Sequence, residues 1–320
     1  MAGAASAVVG TLALAAGLVW PSAPLSATAA DAARPDLFGG NATAPVDPAP
    51  GQSSADSASP SDSPAPASAP TQGATKQPPQ QPAGPGLPPA PAPGKNGNWT
   101  LVAQDDFTGS RVDDSKWQVY DANATNGVSR WTSSMVTVGG GELRIAGKGS
   151  NPNGQGNVSG GLCWCTGVGN QLHGRWEVRA RFEAGTGYGQ AILLWPSSDR
   201  WPQDGELDFV ETPNPTKNLA VGTVHWGSNN SEDDKRVNGD YTTWHTYVVE
   251  WESNYVKMYI DGKIFYDSTT STNHPAIPNT PMHVAIQQEP GPFGDNWVPP
   301  PNSSTPATVT MHIDWVRIYR

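Results

Sequence analysis

Tyr255-Val256-Lys257-Met258-Tyr259-Ile260, Asp261-Gly262, Lys263-Ile264-Phe265-Tyr266 is the stretch of sequence on which the fold turns. Two runs rich in β-branched and aromatic residues flank an Asp-Gly pair. Asp-Gly supplies the two positive φ angles of a type I′ turn, whose twist matches that of the strands it joins, so the stretch reads as a β-hairpin. Runs of the same kind recur on both sides of it between Gly, Pro and Asn clusters: Met135 to Val138, Glu142 to Ala146, Trp176 to Phe182 and Tyr247 to Trp251. No ten-residue stretch after Trp99 keeps a helical period. The expected class is all-β, a sandwich of two curved antiparallel sheets with jelly-roll topology.

The first third of the chain is built differently. Residues 31–98 are dominated by Ala, Pro, Ser, Gly and Gln, which cannot bury enough apolar surface to offset the entropy of ordering, and they read as a disordered spacer. Residues 1–30 carry an apolar run, Val8 to Trp20, followed by Ala27-Thr28-Ala29, the small-x-small pattern of a signal-peptidase site. Secretion to the extracellular space is the expectation, with a membrane anchor as the alternative; the run is short for a span of about 20 residues and Pro21 and Pro24 follow it. The folded domain is placed at 99–320. Of the 13 tryptophans only Trp20 precedes it, so the aromatic content belongs to that domain.

A formal charge of −10 argues against nucleic acid as a partner, because phosphate binders gather Lys and Arg on one face. A neutral or weakly charged substrate fits better. The two cysteines, Cys163 and Cys165, have neither zinc-site spacing nor the density of a disulfide scaffold. In a flat strand they would sit about 6.6–6.8 Å apart, at the edge of disulfide reach, so a local bridge and two packed thiols are both open.

The chemistry gathers in Trp201-Pro202-Gln203-Asp204-Gly205-Glu206-Leu207-Asp208-Phe209-Val210-Glu211. Alternation along a strand sends Glu206 and Asp208 to one face and Leu207 and Phe209 to the other. A regular strand would then turn Glu211 into the core, where an unpaired carboxylate is costly. A one-residue bulge at Phe209-Val210 returns it to the acidic face. Three crowded carboxylates repel one another, which pushes their pKa values apart and leaves one protonated and one ionised. That is the pair a retaining glycosidase uses. On an exposed strand the same pattern can be a solvated face, but Trp195 and Trp201 beside it offer rings on which the C–H face of a sugar stacks. A carbohydrate-binding sandwich without catalysis is the rival reading; three acids within a half-turn suit acid/base work better.

With these residues in view, the sequence resembles glycoside hydrolase family 16. The matching pieces, in family order, are Trp201-Pro202-x-x-Gly205-Glu206-Leu207-Asp208-Phe209-Val210-Glu211, Gly222-Thr223-Val224-His225, the block from Trp244-His245-Thr246-Tyr247 to Asp261-Gly262, and Ile313-Asp314-Trp315-Val316-Arg317-Ile318-Tyr319. The resemblance implies a concanavalin-like jelly roll with a concave cleft. It also implies a retaining endo-hydrolase of β-glucan, with Glu206 as nucleophile, Glu211 as acid/base, Asp208 assisting and His225 in the cleft. Either Gln287 or Gln288 falls on the late cleft strand and faces the sugar, Gln287 being the choice. A structural Ca²⁺ on the convex face with Asp314 as ligand is implied too, against the alternative of an Asp314–Arg317 ion pair. No cofactor is expected for catalysis, and a monomer is expected. The bulged E-x-D-x-x-E spacing goes with laminarinase-like members and points to β-1,3-glucan. Gly189 to Trp195 replaces the Trp-Pro-Ala-Phe-Trp stretch of many laminarinases, which leaves other β-glucans, galactans and transglycosylation as alternatives.

Overall fold

A computed structural model describes residues 95–96, 98–294 and 296–320. The signal-peptide expectation, and most of the spacer, lie outside the described residues. Lys95–Asn96 pairs antiparallel with Trp99 and Thr100 at the edge of one sheet.

The described residues form strands joined by turns, with three short 3₁₀ segments and no α-helix among them. One sheet runs, in spatial order, Lys95–Asn96, Trp99–Asp105, Val309–Tyr319, Gly174–Phe182, His245–Glu252, Tyr255–Ile260 and Lys263–Asp267, with Glu142–Gly147 and Val136–Gly139 attached beside Val309–Tyr319. The other runs Ser231–Asn238, Leu219–Trp226, Glu206–Thr212, Tyr188–Pro196, Met282–Pro290, Gly161–Cys163 and Gln118–Val119. Pairing within both sheets is antiparallel. The hairpin forms as its sequence dictates, with Asp261 and Gly262 at φ 49° and 75°.

The core lies between the sheets. Trp176, Val178 and Phe182 of one face Ile192, Leu194, Leu207 and Val224 of the other, all fully buried. Alternation makes this one-sided: each strand gives every second side chain to the core and the rest to the opposite face. The strand Glu206–Thr212 breaks that rhythm. On one side Ile192 pairs with Val210 and Leu193 with Asp208, skipping Phe209. On the other, Asp208 pairs with Thr223 and Glu211 with Val221, so Phe209 and Val210 both stand opposite Gly222. This is the expected bulge; both Phe209 and Val210 are in the core and Glu211 returns to the acidic face.

Gly222 lets the hairpin close over the bulge. A Cβ there would lie 2.7 Å from Met258 Sδ and 2.8 Å from the Phe265 ring. Gly222→Ala is expected to overpack this contact and lower stability by about 1–3 kcal/mol, read as a drop in denaturant midpoint with unchanged slope.

Candidate active site

Because the core takes alternate residues, the far face of the seven-stranded sheet collects Glu206, Asp208 and Glu211, their cross-strand neighbours Leu193 and Ala191, and beyond these Ala285, Gln287 and Glu289. Its floor is apolar: Ala191, Leu193, Ala285, Cys163 and Tyr120 form a second buried cluster, flanked by Trp131, Cys165 and Trp195. Burial of small residues on a face turned away from the core marks the floor of a recess. Cys163 and Cys165 are disulfide-bonded with Cα atoms 5.2 Å apart. That is closer than a flat strand allows, because the strand ends at Cys163.

Each acid has its own partner. Trp201 Nε1 donates to Glu206 Oε2 at 2.7 Å, and Trp297 Nε1 donates to Glu211 Oε1 at 3.1 Å. His225 stands across from Glu206 and its Nε2 lies 3.3 Å from Asp208 Oδ2. Its Nδ1 lies 3.1 Å from Asn230 Oδ1. Oxygen atoms at both nitrogens favour the protonated ring. Burial alone would lower its pKa, but the Asp208 hydrogen bond and the charges of Asp208, Glu206 and Glu211 outweigh that and raise it to about 10. Glu206, Asp208 and His225 bring ligand atoms within 4.8 Å of one another, and in this structure His225 Nε2 faces Asp208 as an ion pair.

Four carboxylates face one cation, so they cannot all ionise. Burial first, then the charge of Asp208, pushes both Glu206 and Glu211 well above the ordinary carboxylate range. Their surroundings differ in what opposes the rise. His225 pulls both down and Glu289 pushes both up; at Glu206 the pull of His225 ranks ahead and the Trp201 N–H adds to it, whereas at Glu211 the push of Glu289 ranks ahead of that pull.

Trp195 and Trp201 lie on the acid side, stacked at 6.4 Å with planes 11° apart; Trp195 Nε1 is tied to Asp199 Oδ1 at 2.9 Å. Gln287 is on the acidic face, in register with Ala191 and through it with Glu211. Gln288 points the other way, bonded to Gln190 and to Val309 O. Asp314 does not join this group. Its carboxylate is engaged by Arg179, and Arg317, the partner weighed as the alternative to a cation, binds Asp106 instead. Among the described residues no set of three Asp, Glu, His or Cys ligand atoms includes Asp314. The Asp314 carboxylate is thus occupied by an ion pair, with Arg179 and not with Arg317.

Sequence reasoning missed Glu289, Trp297, Asn230 and Trp131. Glu289 was within reach, since it is two residues beyond Gln287 on one strand. The others sit on turns or short segments whose approach only the fold determines. Glu289 is 6% exposed and accepts from Gln287 Nε2 at 2.9 Å. Burial raises its carboxyl to about 7, against the Gln287 hydrogen bond and with the charge of Asp208. Between about pH 4.3, the unfolded value, and about 7 the native state holds a proton that the unfolded chain has lost. This group therefore lowers stability as pH rises through that window. Glu289→Gln is expected to raise the Tm at pH 8 and leave it unchanged at pH 4, as calorimetry at the two pH values would show.

A profile of Glycosyl hydrolases family 16 matches residues 113–317. Among curated proteins the chain is 29% identical over 259 residues to Glucan endo-1,3-beta-glucosidase A1 of Niallia circulans, covering 69% of this chain and 38% of that protein. It is 28% identical over 252 residues to a Beta-glucanase of Rhodothermus marinus, covering 70% and 86%. Among solved structures it is similar to the catalytic domain of an endo-1,3-beta-glucanase (laminarinase) from Thermotoga petrophila. The TM-score is 0.61 at 20% identity, over 70% of this chain and 98% of the other. That likeness supports the jelly-roll fold.

Proposed function

The chain belongs to glycosyl hydrolases family 16, and on that premise we propose that it is a retaining endo-hydrolase of β-glucan, acting on β-1,3-linked glucan. The observation that carries the reading is the bulge at Phe209-Val210, which brings Glu211 back to the face of Glu206 and Asp208. In this reading Glu206 attacks the anomeric carbon while Glu211 protonates the departing glycosidic oxygen. Glu211 then takes a proton from water as that water releases the sugar from Glu206. Trp201 holds Glu206 for attack, and the Asp208–His225 ion pair fixes the charge between the two acids. Trp195 and Trp201 present rings to the sugar and Gln287 an amide.

The β-1,3 linkage is supported by the names of the relatives above, one a glucan endo-1,3-beta-glucosidase, and by the bulged spacing of the acids. The same reading makes the protein a secreted monomer, for which fractionation and size-exclusion chromatography are the checks. Product analysis on laminarin, barley glucan and agarose tests the substrate. Short oligosaccharides from laminarin are expected. Release from agarose alone, or intact laminarin at high enzyme load, would overturn the linkage.

A further inference from the structure

Glu289 has no part in the two-step reaction, yet it is buried on the same face. Its position follows from the register. The acids Glu206, Asp208 and Glu211 run along one strand, so a glycan whose scissile bond lies between the first and last must cross the strands. Crossing from Glu211 it meets Ala191 and then Gln287, two inter-strand spacings or about 9.5 Å away. Glu289 projects from the same face one alternation further, on the Glu211 side of the path, opposite Gly189. Val298 packs over Gly189, where a Cβ would meet Val298 Cγ2 at 2.4 Å.

Only one of its oxygens is occupied. Gln287 Nε2 holds Oε1. Oε2 has no hydrogen-bond partner among the described residues and is not fully enclosed. A carboxylate this buried, held at one oxygen and open at the other beside an apolar floor, is built to meet a ligand hydroxyl. It has no cation of its own, since His225 is engaged by Asp208 and Asn230.

We propose that Glu289, held by Gln287, is a specificity-determining residue of the cleft: its free oxygen accepts a hydrogen bond from a hydroxyl of a sugar beside the cleaved bond and excludes a sulfate or carboxylate there. The inference rests on the glycan-hydrolase reading above. A neutral sugar supplies the donor that the open oxygen lacks, and an anionic substituent meets a like charge in a poorly solvated place.

The test compares the parent enzyme with Glu289→Gln at pH 8, above the value of about 7 to which burial raises the Glu289 carboxyl, on laminarin and on carboxymethylated β-1,3-glucan, with the Tm of each protein measured alongside. For the variant, KM on laminarin is expected to rise about tenfold, as fits loss of a hydrogen bond to a charged group, while loss of the Glu289 charge lowers the Glu211 carboxyl and moves the basic limb of the kcat–pH profile downward. Cleavage of the anionic polymer relative to laminarin should rise about tenfold or more. An unchanged ratio, or equal loss on both polymers, overturns the proposal while parental activity on laminarin leaves the hydrolase reading standing. A parent inactive on every glucan sinks that reading and this inference with it. Should Glu289→Gln fail to fold, Glu289→Asp replaces it: the shorter acid is expected to lose laminarin affinity and still reject the anionic polymer. A parental KM in that variant counts against the role.

Discussion

Glu206→Gln is expected to reduce hydrolysis of β-glucan by a factor of about a thousand or more, equivalent to about 4 kcal/mol or more of barrier. The substitution keeps the side chain's length and removes the nucleophilic oxygen, so no covalent glycosyl intermediate forms. It also removes a carboxyl that burial and Asp208 hold in an unfavourable state, and stability should be retained or improved. Loss of activity with a parental or raised Tm separates chemistry from folding. A variant that keeps more than about a tenth of parental turnover would remove Glu206 from the mechanism, since losing a covalent step costs far more than one factor of ten.

Glu211→Gln is expected to fail differently. A polysaccharide leaving group needs a proton, so turnover on laminarin should fall by about two to four orders of magnitude, the range of general acid catalysis. An activated aryl β-glycoside leaves without that proton. Its first step should survive, the glycosyl-enzyme should accumulate, and added azide should restore release as a glycosyl azide, since azide needs no general base. Equal loss on activated and natural substrates, with no effect of azide, would mean that Glu211 is not the acid/base. Trp297, which donates to this carboxyl, is then the natural residue to vary for tuning its proton.

Much of this arrangement is legible in the amino-acid sequence. The hairpin at Asp261-Gly262 can be read because its turn chemistry is local. The bulge can be read because a strict alternation would have buried Glu211, and a buried unpaired acid is the kind of conflict a fold resolves by a backbone adjustment. That one of Gln287 and Gln288 faces the cleft follows from alternation once the resemblance places their strand there, and the register makes it Gln287. What is not legible depends on contacts distant in sequence. Trp297 reaches Glu211 across 86 positions, and the pairing of Asp314 with Arg179 spans 135. Arg317 is three residues from Asp314, yet it turns to Asp106 on the neighbouring segment. The cysteine pair stays open in sequence for a similar reason: whether the strand bends after Cys163 is set by where its pairing with Met282–Pro290 ends.

The central claim is that Glu206 and Glu211 act as nucleophile and acid/base of a double displacement, and the stereochemistry of the first product tests it most directly. Proton NMR of a reduced-end laminari-oligosaccharide during the first turnovers reports the anomer released at the cut before mutarotation. Two displacements predict the β-anomer first, with the α-anomer growing in later. The α-anomer as the initial product would mean a single displacement by water, and would contradict the nucleophilic role of Glu206.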